Sequence, residues 1–208
     1  MELVVLNVAY PFMPVGPDAL GGPEKMLAEL DAALVRSGHE SFVMACEGSA
    51  TNGILIATPR PSGLLDDAER QRIHEQYRFT LQTFVEKWPI DLIHMHGVDF
   101  YEYLPAAGVP VLVTLHLPID QYPEKIFHLE RPQTFLQCVS ARQRCACPPC
   151  GNLLPDIDND FAPGQLFSAP GIERLFSLYE QLVGESRALT RINAAHTGTV
   201  LAAEGIQA

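Results

Sequence analysis

The opening of the chain limits its architecture more than any other stretch. An almost continuous apolar run, Leu3 to Val8, passes into a loop with three prolines, Ala9 to Leu20, and then into Gly21-Gly22-Pro23-Glu24. A short strand that is apolar at nearly every position needs cover on both faces, as an inner strand of a parallel sheet has. Glycine at the cap, proline at the first helical position and an acid in the first turn then start a helix. Met26, Leu27, Leu30, Ala33 and Leu34 fall on one side of it, and Gly38 supplies a left-handed ending.

The alternation continues. Ser41–Ala45, Gly53–Ala57, Asp91–His94, Val111–Leu115 and Thr134–Val139 read as further strands, and Leu65–Lys87 as a long helix free of proline and glycine. A short helix is expected within Phe100–Ala107. Strands alternating with helical stretches predict an α/β fold: a Rossmann-like, doubly wound, mainly parallel sheet flanked by helices. This domain should cover residues 1–150. Residues 151–170, rich in Pro, Asp and Gly, read as a linker. Ile172, Leu175, Phe176, Tyr179, Leu182 and Val183 then make the apolar face of a terminal helix over 171–184, followed by a weakly structured tail, 185–208.

With a formal net charge of -11 and no basic patch, the chain should be repelled by nucleic acid and anionic lipid. Met1-Glu2 lacks the basic start of a secretory signal, and no apolar run reaches membrane-spanning length, so a cytoplasmic location is the default expectation. Four of the five cysteines crowd between Cys138 and Cys150. They are expected as reduced thiols, because Cys138 falls inside a strand and no second paired knuckle follows. No metal is expected there or at His94 and His96, which lack a third ligand.

In an open parallel sheet, ligands bind beyond the carboxyl ends of the strands. Four places stand out there. Gly21 and Gly22 would let backbone N–H groups approach an anion at a helix N-terminus, or would merely cap the helix. His94 and His96 flank Met95, and the expectation is that they point to opposite faces, so that only one meets the crevice. His116 ends the fifth strand, where it could hydrogen-bond a substrate oxygen or a leaving phosphate. Ser140 stands at a helix N-cap beside the same crevice.

Together, Gly21-Gly22-x-Glu24, Gly38-His39, Asp91 to Gly97, Gly108-Val109-Pro110-Val111, Thr114-Leu115-His116 and Val139-Ser140 resemble glycosyltransferase family 4 over about the first 150 residues. The resemblance implies one half of a two-domain GT-B fold and transfer of a sugar from a nucleotide-sugar donor, with retention, to a sugar, lipid or small-molecule acceptor. It implies that Gly21 and Gly22 lie at the donor diphosphate, that His116 is the catalytic-site histidine beside the transferred sugar, and that His96 and Ser140 line the acceptor side or the cleft. No cofactor is implied, since the nucleotide-sugar is a substrate. In the family a whole donor-binding domain separates the position of Ser140 from the final helix, whereas here about thirty residues do. Phe167-Ser168 and Phe176 to Tyr179 resemble that final helix, which folds back on the first domain. The chain is therefore expected to be incomplete or inactive alone.

Two other readings were open at this level. A noncatalytic binding or assembly module would use the cleft and the terminal helix to receive a second copy or a partner chain. An NAD-dependent oxidoreductase could use Glu47 to hold a ribose, but needs G-x-G-x-x-G in a tight turn directly after the first strand, where this chain has a long loop.

Overall fold

The structure, a computed structural model, describes residues 1–61, 65–155 and 169–204. Six strands, β1 (Val4–Val8), β2 (Glu40–Cys46), β3 (Ile54–Thr58), β4 (Leu92–Met95), β5 (Val111–Leu115) and β6 (Thr134–Cys138), form one sheet in the order β3-β2-β1-β4-β5-β6. Every pairing is parallel. This is the doubly wound order, and it reverses direction between β1 and β4, where such sheets open a crevice.

Among the described residues, four helices flank the sheet: α1 (Gly22–Arg36), α2 (Asp67–Lys87), α3 (Ala141–Cys145) and α4 (Ala169–Glu204). α1 starts and stops where its residues predict, with Pro23 in the first turn and Gly38 at φ 79° just past the end. α2 is capped by Asp66, whose side chain accepts from the Glu69 N–H at 2.8 Å. On one face of the sheet, Leu6, Val8, Met44, Met95 and Val113 pack against Tyr77 and Leu81 of α2. On the other, Val5, Leu92 and Leu112 pack against Leu30 and Leu34 of α1 and against Leu175, Tyr179, Leu182 and Val183 of α4.

Three local features differ from the sequence reading. The helix expected near Phe100–Ala107 is only a 3-10 turn over Phe100–Glu102, ended by Pro105 two residues after the turn closes. The stretch read as a linker begins on the sheet edge: Leu136 N–H donates to Asn152 O at 2.8 Å and Leu154 N–H to Leu136 O at 2.9 Å. Its central part, 156–168, with Phe167 and Ser168, lies outside the described residues. α4 does not end at Gly184 but runs on to Glu204 through the segment read as a tail. A single glycine costs a helix about 1 kcal/mol, too little to stop one whose next residues include Arg187, Ala188 and Leu189.

Candidate active site

His116 follows Leu115, the last residue of β5, and Ser140 caps α3 just beyond β6. With Arg142 and Ile119 they line a cleft of about 410 Å³. The Ser140 hydroxyl accepts from the Gln143 N–H at 3.2 Å. Gln143 ties the two strand ends together: its Nε2 donates to Leu115 O at 2.8 Å and Leu117 O at 2.6 Å, and its Oε1 accepts from Val139 N–H at 2.8 Å. Neither Gln143 nor Arg142 was singled out from sequence. Ser-x-x-Gln is a capping-box spacing and was the readable signal for the first.

His96 Nδ1 stands 3.0 Å from His116 Nε2, and the two rings are stacked within 24° of parallel. Burial pushes His116 down to about 4, and holds His96 well below the ordinary histidine range, with His94 and His116 adding to the effect. Both are neutral near pH 7, so each ring carries one N–H. His96 Nε2 is buried without a partner among the described residues. An orphaned N–H is rarer in proteins than an under-satisfied acceptor. His96 Nδ1–H therefore donates to His116 Nε2, which leaves Nδ1–H as the donor of the His116 ring.

His94 and His96 do not point to opposite faces. Positions two apart on a strand share a face, and the ring centroids are 4.1 Å apart. His94 bridges the Tyr179 hydroxyl of α4, 2.5 Å from Nδ1, and the Thr114 hydroxyl, 2.7 Å from Nε2. It is sealed under α4, whereas His96, past the strand end, reaches His116.

Gly21 and Gly22 line neither this cleft nor the cavity described next. Gly21 is the N-cap of α1 and adopts an ordinary extended backbone. A Cβ on it would stand 1.9 Å from Glu24 Oε2, whereas one on Gly22 would meet open space. The buried Glu24 carboxylate thus lies against Gly21 and not Gly22, and burial raises its pKa.

A second cavity, about 520 Å³, opens at the reversal between β1 and β4. Arg70, His74 and Arg78 stand on successive turns of α2 and face Tyr10 after β1 and Asp99 and Tyr101 after β4. His74 Nε2 lies 2.6 Å from Asp99 Oδ2, and Asp99 Oδ1 accepts from the Tyr103 hydroxyl at 2.9 Å. The Arg70 guanidinium sits 5.2 Å from the Phe12 ring centroid, and Arg78 donates to the Glu102 carbonyl. Gly97 makes room for this: a Cβ there would stand 1.9 Å from the Tyr103 hydroxyl oxygen. The four-residue spacing of Arg70, His74 and Arg78 along α2 was visible in the sequence, but only the fold brings Asp99 to it.

The five cysteines are free thiols, with Cys138 Sγ and Cys147 Sγ 3.5 Å apart. Among the described residues, no group of three or more His, Cys, Asp or Glu is placed to hold a metal ion. No helix among them is long and apolar enough to cross a membrane.

A family model described as Glycosyltransferase Family 4 matches residues 20–144. Among solved structures, the chain is similar to the crystal structure of AviGT4, a glycosyltransferase involved in avilamycin A biosynthesis, at 19% identity and a TM-score of 0.45. The similarity covers 70% of this chain and 39% of that one. No curated protein matches.

Proposed function

This chain belongs to glycosyltransferase family 4, and from that premise we propose that it forms one wall of a site transferring a sugar from a nucleotide-sugar to an acceptor hydroxyl, with retention. The observation that carries the reading is the His96–His116 pair, whose His116 lines a cleft with Ser140 and Arg142 while His96 backs it from β4. In the reaction, the bond from the anomeric carbon to the diphosphate oxygen breaks and a bond to the acceptor oxygen forms. The hydroxyl proton leaves with the diphosphate. His116 Nδ1–H donates to a hydroxyl of the transferred sugar, and Arg142 offers the diphosphate a positive charge. Gly21 and Gly22 are proposed to offer backbone N–H groups to the same diphosphate once the Glu24 carboxylate swings aside. No metal or cofactor is required, so EDTA should leave transfer unchanged.

A diphosphate is normally held by several cations or oriented donors. Arg142 is the single cation lining the His116 cleft among the described residues, so the opposite wall must come from a second body. Isothermal titration with UDP- and GDP-sugars, beside a transfer assay, tests the proposal. Weak donor binding that His116→Ala removes is the expected result. Rapid turnover by this chain alone would contradict the need for a second wall.

One observation favours an assembly role alongside. Leu189 and Ile192 stand three apart on α4 and are half exposed, at 50% and 52%. A second copy or a partner chain would cover them. Light scattering distinguishes a dimer from a monomer, and Leu189→Glu should dissociate a dimer built there.

A further inference from the structure

The cavity at the β1/β4 reversal has a composition that selects among acceptors, and the inference rests on the sugar-transfer reading above. We propose that it binds the acceptor, and that the acceptor is a neutral polyhydroxylated molecule, a glycoside or cyclitol, rather than a phosphate- or carboxylate-bearing one.

Charge is the first ground. Arg70 and Arg78 share the cavity with Asp67, Glu75, Asp99 and Glu102. Lys125, outside the lining, pairs with Glu102 at 2.9 Å. Four carboxylates thus outnumber the two guanidiniums of the lining, even with Lys125 beside them, in a chain whose net charge is already -11. An anion entering here would meet no surplus of positive charge to offset its desolvation. A hydroxyl both donates and accepts, and it suits a wall on which guanidinium and carboxylate groups alternate.

Pre-organisation is the second ground. Asp99 is fixed by Tyr103 and in turn fixes His74. With Nε2–H donated to Asp99, the His74 ring offers Nδ1 as an acceptor, and that atom makes no hydrogen bond among the described residues. Arg70 is held over the Phe12 ring and shares the cavity wall with Tyr10, so its guanidinium has a packed position before a ligand arrives. Fixed donors and acceptors on one wall, with Tyr10 and Tyr101 beside them, can read the stereochemistry of a hydroxylated ring.

Location is the third. The cavity lies at the switch point of the sheet, next to β4. His96, just past β4, links that strand end to His116, so a ligand here is one strand away from the donor cleft.

The test is saturation-transfer NMR of the whole chain with a panel of methyl hexopyranosides and myo-inositol, each beside its monophosphate ester, together with titration of UDP- and GDP-sugars. The expected result is saturation transfer to at least one neutral polyol, weakened about tenfold or more by His74→Gln and by Arg70→Gln. The phosphate ester should bind no better than its parent. Arg70→Gln serves as the second variant, because it leaves the half-buried His74–Asp99 pair intact; a thermal melt confirms that both variants fold. A phosphate ester that binds at least tenfold tighter than its neutral parent, with the preference lost in Arg70→Gln, would mean an anionic acceptor. A silent panel with donor binding retained would overturn the acceptor site and leave the sugar-transfer reading standing. Silence toward both polyols and donors would remove the transfer reading itself.

Discussion

Against α2 the sheet presents Leu6, Val8, Met44, Ile93, Met95 and Val113, all almost wholly buried and apolar. Against α1 and α4 the same strands carry Asn7, His94, Thr114 and Gln137 among their leucines and valines. The first face asks only for volume and close packing. The second imposes obligations: each buried polar group needs a partner, and α4 brings Tyr179 to supply one to His94. Asn7 Oδ1 and Gln137 Oε1 remain without partners on that face. The polar line runs on through His96 to His116, so the costlier face is the one that leads into the cleft lined by His116 and Ser140.

The largest test of this contrast is on the apolar face. Tyr77 is almost fully buried, and its hydroxyl donates to Ala9 O at 3.2 Å and Met44 O at 3.0 Å. Tyr77→Ala should cost about 3–5 kcal/mol in denaturant unfolding, by analogy with large aromatic truncations. That loss should be the same at pH 7 and pH 5, and a strong acid dependence would break the distinction between the faces.

The histidine face should respond to acid. Burial lowers the folded-state pKa of His116 to about 4, and those of His94 and His96 well below the ordinary value. Above pH 6.5 both folded and unfolded chains are neutral at these sites, and the full stability is present. As pH falls below 6.5 the unfolded chain takes up protons that the folded chain refuses, and stability declines until the folded pKa is reached. For His116 the decline between pH 6.5 and 4 amounts to about 3 kcal/mol. Urea midpoints measured across that window should fall more steeply for the parent chain than for His116→Asn, and equal slopes would contradict the assignment.

A smaller effect is expected at Tyr179→Phe, which removes one hydroxyl and leaves His94 Nδ1 unpaired. The cost should be about 1 kcal/mol, read by thermal melting, with the His94 imidazole resonances shifted. At the low end, Lys125→Gln breaks an ion pair that is largely exposed, and should change stability by about 0.5 kcal/mol or less.

Much of the fold was legible because its signals are local. The apolar run at β1, the Gly-Pro-Glu start of α1, Gly38 and the proline-free stretch of α2 each act within a few residues, through backbone preference or one helical face. That the strands are parallel follows once they alternate with helices, whereas their order, β3-β2-β1-β4-β5-β6, is read only from the structure. The site was legible only in part. His116 and Ser140 announce themselves by following strands, and the structure sets them in one cleft with Arg142. His74 was not singled out, because its four-residue spacing from Arg70 and Arg78 assigns it no role until Asp99, from a loop 25 positions away, lies 2.6 Å from it.

The sequence by itself determined the α/β class, the strands and their caps, and which histidines stand at strand ends, since these depend on short-range sterics and on periodic burial. Only the tertiary structure decided that His94 is sealed by Tyr179 while His96 reaches His116, and that α2 meets the β4 loop around a cavity. It also carried α4 past Gly184. Such outcomes depend on contacts between residues far apart in the chain, whose energies a local pattern does not contain.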